Sequence, residues 1–324
     1  MKAYLGIDTS CYTTSVAVMA ESGALLAAER SLLKVKTGGR GLAQSEMLYQ
    51  HTRNLPELME RVLGAVEPTM ISAIGVSTRP RPVADSYMPA FLAGWGLARS
   101  LSAALSVPVF ATSHQENHLE AGLWSAGGPS SGPFLMFHVS GGTTELLQAE
   151  RGSEFSWRLD RIGGSRDLHA GQMIDRIGVA LGLSFPAGKA LELLAGDAQP
   201  FALPVSVQET WCSFSGPLSA AERLLAQNGV TKEALAAGVL HIVAESLIRM
   251  AKKAVDETGI RRFLLVGGVM ANRQIRSAVL AAAGHCNWEV WFADAAYSSD
   301  HAVGCAAAVR RWEAEGGVHD VSSQ

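Results

Sequence analysis

Two histidines stand four residues apart in His114-Gln115-Glu116-Asn117-His118. On a helix that spacing puts both imidazoles on one face, where they can grip one metal ion. Ser113 and Glu116 have the spacing of a capping box, which starts the helix here and gives Glu116 a structural task. The order is not that of the zinc proteases, which needs Glu directly after the first His. Two unrelated histidines near a helix terminus are the plain alternative. A further carboxylate, Asp300 in Ser298-Ser299-Asp300-His301, is expected to open the last helix, where it also suits the helix dipole. His301 reads as a packing or surface residue.

Two turns have the chemistry of phosphate sites. Asp8-Thr9-Ser10 offers a carboxylate for hydrated Mg²⁺ and hydroxyls near a phosphate. In Ser140-Gly141-Gly142-Thr143-Thr144 the glycines let backbone N–H groups approach an anion. Ordinary hairpin turns have similar sequences, so their matching places in two halves of the chain say more than either alone. Leu264 to Asn272 reads as an apolar strand entering Gly267-Gly268 and then a helix. This suits either a nucleotide against the backbone or a plain βα turn. Gly188-Lys189 is not a P-loop, because Leu183 stands where the first glycine belongs. Arg79-Pro80-Arg81-Pro82 is held extended by its prolines. Its arginines either meet an anion or sit on a solvated loop.

The elements that must position these residues repeat. The first half reads as strands at Tyr4–Ile7, Ser15–Met19 and Leu25–Arg30. A helix follows at Ser45–Leu63, a strand at Ile71–Ser77, a helix at Ala90–Ala104 and a strand at Val107–Thr112. The second half opens again with strands at Phe134–Val139, Thr143–Ala149 and Phe155–Arg161. Helices at Met173–Leu181, Ala187–Leu194 and Leu235–Asp256 follow, then strands at Phe263–Val266 and Val290–Phe292. A duplicated α/β fold is expected, with residues 1–121 as one lobe and 133–324 as the other. The Gly-, Ser- and Pro-rich stretch 122–132 is the expected linker, and the last helix packs back on the first lobe.

The composition is that of a globular protein: 324 residues, 48% hydrophobic, 18% charged, net charge −3. This balance excludes a strongly basic nucleic-acid binder, though not a local basic patch. Cys11, Cys212, Cys286 and Cys305 fit neither a zinc finger nor a disulfide framework and read as reduced and buried. No signal-peptide core is seen, nor a run approaching the ~20 apolar residues that span a membrane. The expected location is cytoplasmic.

In their order these motifs resemble the tRNA N6-adenosine threonylcarbamoyltransferase family, formerly labelled O-sialoglycoprotein endopeptidase. The resemblance runs over nearly the whole chain. It includes Leu5-Gly6-Ile7-Asp8-Thr9-Ser10-Cys11, the paired histidines, Val139-Ser140-Gly141-Gly142 and Ala170 to Arg176. It continues through Leu181-Gly182-Leu183-Ser184-Phe185-Pro186, Ser213-Phe214-Ser215-Gly216, Gly267 to Asn272, and Asp300. It implies the actin/heat-shock-ATPase/sugar-kinase (ASKHA) fold, with a nucleotide and metal cleft between two lobes. His114, His118 and Asp300 resemble the family's metal ligands, for one divalent ion, iron or zinc. His138, Val139, Ser140, Gly141, Gly142, Asp175, Gly188 and Asn272 resemble its contacts to nucleotide and substrate. The implied cofactors are ATP, ADP, AMP or an acyl-adenylate, with Mg²⁺. The implied reaction moves threonylcarbamoyl from its adenylate to N6 of adenosine 37 in tRNA. Asp8 and Ser140 are the candidate catalytic residues, the Ser-Gly-Gly amides stabilising negative charge. The implied partners are tRNA and either a paralogue of the same fold or a second copy.

The chain departs from the family at defined points. Tyr12-Thr13 replace the usual Asp-Glu, and Arg79-Pro80-Arg81-Pro82 replaces a Gly-Pro-Gly-Leu loop. Asp167-Leu168-His169-Ala170-Gly171-Gln172 replaces Asp-Asp-Ala-Ala-Gly-Glu, and Pro217-Leu218 stand where Leu-Lys is usual. These mark a diverged paralogue. Two other readings stay open: an acyl-adenylate transferase with a different acceptor, and a non-catalytic nucleotide-binding partner in a tRNA-modifying complex. His138 is a further candidate ligand. Strand alternation puts it on the same side as Ser140, and archaeal relatives carry a ligand-like tyrosine there. A buried, hydrogen-bonded histidine is the alternative.

Overall fold

A computed structural model of the chain describes residues 2–10, 12–35, 42–83, 85–152, 156–227, 229–297 and 300–316. Cys11, Phe155, Ser298 and Ser299, which enter the sequence reading, lie outside the described residues. The chain divides into two compact units. One comprises Met1–Ser125, Arg151–Arg158 and Ala296–Gln324, and the other Ala126–Glu150 and Leu159–Ala295.

The first unit begins with strands β1 (Ala3–Asp8), β2 (Thr13–Ala20) and β3 (Leu25–Leu32). Helix α1 (Gln44–Leu63), β4 (Ile71–Arg79), α2 (Phe91–Leu105), β5 (Val109–Ser113) and α3 (His114–Ala126) follow. The sheet order is β3-β2-β1-β4-β5, with β1 antiparallel to β2 and parallel to β4. Leu5, Ile7, Val16 and Val18 on one face pack with Leu55, Leu58 and Val62 of α1. The expected cap of α3 is present: Ser113 N donates to Glu116 Oε2 at 2.8 Å, and Glu116 N to Ser113 Oγ at 3.2 Å. The helix runs through Ala126, so residues 122–126 of the glycine-rich stretch are helical.

The second unit carries β6 (Phe134–Val139), β7 (Thr144–Arg151), β8 (Trp157–Ser165), α4 (Ala170–Ala180) and α5 (Gly188–Ala195). Then come β9 (Val207–Gln208), β10 (Trp211–Cys212), α6 (Ser215–Ala226), α7 (Lys232–Thr258), β11 (Arg262–Val266), α8 (Arg273–Cys286) and β12 (Glu289–Phe292). The outer ends of β7 and β8 count with the first unit. The sheet order is β12-β11-β6-β7-β8-β10-β9. Its run β8-β7-β6-β11-β12 repeats β3-β2-β1-β4-β5, so the duplication is real. Helix α6 is not among the elements expected from sequence, where Ser213 to Gly216 enters only as a motif. Proline is compatible with a first helical turn, where its missing N–H costs nothing. The two-residue strands β9 and β10 are too short to show a period. Among the described residues α7 is long and apolar enough to cross a membrane, and 78% of its most apolar stretch is buried inside the protein.

The last helix, α9 (Val303–Ala314), belongs to the first unit. It covers the face of that sheet opposite α1, packing Ala308, Val309 and Trp312 against Tyr4, Ala73 and Phe110. Gly6 and Gly75 are register partners on β1 and β4. A Cβ on either would strike the α9 backbone, at Ala302 and Ala306 for Gly6 and at Cys305 for Gly75. The two glycines therefore form a groove that lets a helix rich in small residues lie directly on the strands. Asp300 does not open this helix: the cap is Ala302, so the carboxylate lies upstream of it and is not explained by the helix dipole. Cys212 and Cys305 are buried free thiols, and Cys286 is a partly buried one.

Candidate metal centre and nucleotide cavity

The first two turns of α3 and the segment before α9 bring three donors together. His114 Nε2 lies 3.1 Å from His118 Nε2, and Asp300 Oδ1 lies 3.5 Å and 3.3 Å from those two atoms. Donors at ~2.1 Å from a shared ion are separated by about 3.0–3.4 Å in octahedral or tetrahedral shells. The observed triangle fits that requirement, and nitrogen with carboxylate is a donor set suited to zinc or iron. Among the described residues these three form a cluster able to hold a metal ion.

Asp8 stands behind His114. Its carboxylate is fully buried and lies 3.3 Å from His114 Nδ1. It also accepts from Ser10 Oγ at 2.6 Å and from Ser77 Oγ. An oxygen enclosed this way does not face solvent, as a carboxylate for hydrated Mg²⁺ must. What it can do is take the Nδ1 proton of His114 in a hydrogen bond, leaving Nε2 as the free donor. Burial alone pushes the His114 pKa down, but the Asp8 and Asp300 carboxylates hold it well above the ordinary value. Burial raises Asp300, yet hydrogen bonds from His114 and His118 keep it well below the usual range. Thr13, at the departure from the family pattern, is buried and its Oγ1 donates to Asp300 Oδ2 at 3.5 Å. Its neighbour Tyr12 is 40% exposed.

The second unit contains a cavity of about 500 Å³. Its walls include Gly141, Asp175, Gly188 and Asn272, four of the eight expected nucleotide contacts. Gly171 at the start of α4 is packed so tightly on the Ser140–Gly141 turn that a Cβ would lie 2.6 Å from Ser140 O. Gly267 takes φ +103° and lies against Val139, so the turn after β11 reaches the cavity only as glycine. Asn272 Oδ1 caps α8 through Ile275 N at 3.0 Å, and Asp175 Oδ1 accepts from Ala187 N at 2.7 Å. Both side chains keep polar atoms beyond these bonds. Lys189 and Arg273 also line the cavity. Neither is a candidate from sequence, because Gly188-Lys189 invites comparison only with a P-loop. Asp167 is likewise missed by sequence: it accepts from Phe214 N at 2.9 Å, Ser215 N at 3.3 Å and both Ser213 and Ser215 hydroxyls. It thereby ties the Ser213–Gly216 motif to the loop before α4, and despite its partial burial these bonds hold its pKa well below normal.

Ser140 lies in the turn after β6, its N–H bonded to Thr143 O at 2.8 Å. His138, Val139, Ser140 and Gly142 are not among the residues that line the cavity. His138 lies on β6 of the second unit, opposite Glu145 and beside Val266. Arg79 and Arg81 are both exposed.

The sequence profile of TsaD, tRNA N6-adenosine threonylcarbamoyltransferase, matches residues 32–307. The chain belongs to this family. A threonylcarbamoyltransferase of Thermus thermophilus is 33% identical over 279 residues, covering 84% of this chain and 82% of its own length. One from Prochlorococcus marinus is 31% identical and covers 96% of this chain and 91% of its own. Solved structures with the same fold include full-length HypF (TM-score 0.58, 13% identity, 96% of this chain and 46% of that one). The component A of (R)-2-hydroxyglutaryl-CoA dehydratase from Acidaminococcus fermentans also matches (TM-score 0.55, 15% identity, 97% and 100%). So does a ROK family glucokinase from Streptomyces griseus (TM-score 0.51, 13% identity, 94% and 98%). The fold is thus the duplicated actin/heat-shock-ATPase/sugar-kinase architecture, and the family makes the chain an acyltransferase-type enzyme.

Proposed function

We propose that this threonylcarbamoyltransferase-family chain uses one divalent metal ion, zinc or iron, held by His114, His118 and Asp300. The reading rests on the donor triangle at 3.1–3.5 Å, backed by the enclosed Asp8. When bound, the metal supplies a Lewis acid that polarises an acyl or phosphoryl oxygen. The donor substrate is threonylcarbamoyl-adenylate. Its adenylate occupies the cavity of Gly141, Asp175, Gly188 and Asn272, with Lys189 and Arg273 opposite its phosphate. Within the Ser140–Gly142 turn the Ser140 and Gly142 amides are held by Thr143 O and Ser140 Oγ, so it is the Gly141 amide, on the cavity wall, that meets developing negative charge. The acceptor is N6 of adenosine 37 in tRNA. A new bond forms between N6 and the carbamoyl carbon, the carbon–oxygen bond to the adenylate phosphate breaks, AMP leaves, and one N6 proton is released. Such an enzyme works where tRNA does, in the cytoplasm, with a paralogous or identical chain as partner.

Tyr12 and Thr13 favour a second reading, an acyl transfer to a different acceptor. A neutral hydroxyl now touches Asp300 where a carboxylate is usual. Expression in a strain depleted of its own tRNA threonylcarbamoyltransferase separates the two. Restored modified adenosine, measured by mass spectrometry, supports tRNA as acceptor. Failure by a protein that still binds metal and adenine nucleotide supports the second reading. Elemental analysis should show metal in the wild type and its loss in His114→Ala. His138, expected from sequence as a further donor, is tested in the same way with His138→Leu. Full occupancy in His138→Leu would confine the shell to three residues.

A further inference from the structure

The segment from Arg79 to Phe91 is fastened beside the metal centre at both ends. At its start, Arg79 is the register partner of Ser113, the residue before His114. Gln115 N donates to Pro80 O at 3.0 Å, and two residues before Arg79, Ser77 bonds the Asp8 that holds His114. At its end, the Phe91 ring lies 6.4 Å from the His114 ring, and Thr9 Oγ1 donates to Ala90 O at 3.1 Å. Among the described residues between these anchors the backbone is not held extended, as the prolines suggest, but is tied into turns by local hydrogen bonds. Arg81 N bonds Ser86 Oγ at 2.9 Å, Val83 N bonds Arg81 O at 2.9 Å, and Ser86 N bonds Val83 O at 3.1 Å. The segment is therefore a built rim next to His114.

Several of its side chains are open to solvent. Arg79 and Arg81 are exposed, and Tyr87 is 67% exposed. Asp85 is also exposed, so the segment carries two cations against one anion among the described residues. Guanidinium groups and an open aromatic ring carried on one short segment are the chemistry that binds single-stranded nucleic acid: charge for the backbone, a π-face for a base. A protein with net charge −3 gains little RNA affinity from its overall field, so a local device of this kind must supply it.

We propose that this rim binds a single-stranded RNA segment, with Arg79 and Arg81 on phosphodiesters and Tyr87 stacked on a base. The inference rests on tRNA being the acceptor and names how the strand is held. In place of a small glycine-rich turn, the chain has a charged rim that selects for RNA over a free small acceptor.

The test uses the full-length, metal-loaded chain and a fluorescent anticodon stem-loop with an unmodified adenosine 3′ of the anticodon. Affinity is measured by anisotropy from 50 to 200 mM salt. Arg79→Ala/Arg81→Ala should flatten the log-affinity against log-salt slope by about 1.4, from two lost single-strand phosphate contacts. The affinity loss across that salt range then shrinks by about sevenfold. Tyr87→Ala should lower affinity by about fivefold or more and leave the slope unchanged. Metal content and adenine-nucleotide affinity should stay at wild-type values in all variants. Unchanged slope and affinity in variants of a wild type that binds RNA would overturn the rim and leave the acceptor reading standing. Loss of nucleotide affinity in the arginine variant, with RNA binding intact, would also overturn it, because the anion would then be the adenylate's. A wild-type chain that binds no RNA at 50 mM salt would remove both.

Discussion

Gly304 joins the packing of α9 to the geometry of the metal centre. It lies against Asn117, which sits between the two histidines in the sequence of α3. Asn117 Nδ2 donates to His301 O at 2.6 Å, and Cys305 N donates to Asn117 Oδ1 at 2.8 Å. In Gly304→Ala the new Cβ would lie 2.6 Å from Asn117 Oδ1 and closer still to the Asn117 carbonyl oxygen, where ordinary contact begins at 3.4 Å. Oδ1 alone requires the start of α9 to lift by about 0.8 Å and the carbonyl oxygen requires more, and Asp300, four residues upstream, moves with it. Metal shells tolerate roughly 0.2 Å of displacement. Overpacking costs about 1–3 kcal/mol, and the two strained Asn117 hydrogen bonds add roughly 1 kcal/mol each at most. The expected result is a loss of about 2–4 kcal/mol in urea unfolding of the metal-free protein, with metal affinity reduced about tenfold or more by calorimetric titration. Gly284→Ala is the control: it lies in α8 with nothing within 4 Å, so alanine should stabilise by about 1 kcal/mol and leave metal affinity unchanged. If Gly304→Ala loses stability but keeps wild-type metal affinity, α9 does not position Asp300. If it loses neither, the close-packing argument is wrong.

Three other outcomes are expected. Asp8→Asn should weaken metal binding by about 10–100-fold while the fold is retained, because His114 loses the carboxylate that fixes its tautomer; an unchanged titration would show that His114 is held by other groups. Ser246 lies fully buried in α7 with no hydrogen-bond partner for its hydroxyl, so Ser246→Ala should be neutral or stabilising by up to about 1–3 kcal/mol in urea unfolding, and a clear destabilisation would point to a buried water. Burial and then Glu313 raise the Tyr4 pKa from 10.0 to about 12, and burial raises Cys212 from 9.0 to about 12. Both protonated forms are favoured by folding, so their contribution is complete below pH 9 and is lost as pH rises toward 12. Thermal unfolding across that range should show the decline, and Tyr4→Phe should make it shallower.

The α/β alternation, the repeat of the opening strands, and the histidine pair with its Ser113–Glu116 cap could all be read from the sequence alone. These are local properties. Periodicity, glycine at turns and i,i+4 spacing need no knowledge of distant residues. The weakest readings concerned Asp8 and Asp300. By sequence Asp8 is a turn carboxylate and Asp300 a helix-start carboxylate. Only the fold shows that Asp8 is enclosed by Ser10 and Ser77 behind His114, and that Asp300 precedes its helix and meets two histidines far away in the sequence. That meeting depends on Gly6, Gly75 and Gly304, which in sequence look like ordinary small residues. It is the backbone contact of α9 with β1, β4 and α3 that leaves no room for a Cβ at each of them. Side-chain types are written in the chain, but the donor triangle is set by how closely two backbones approach, and tertiary packing alone decides that distance.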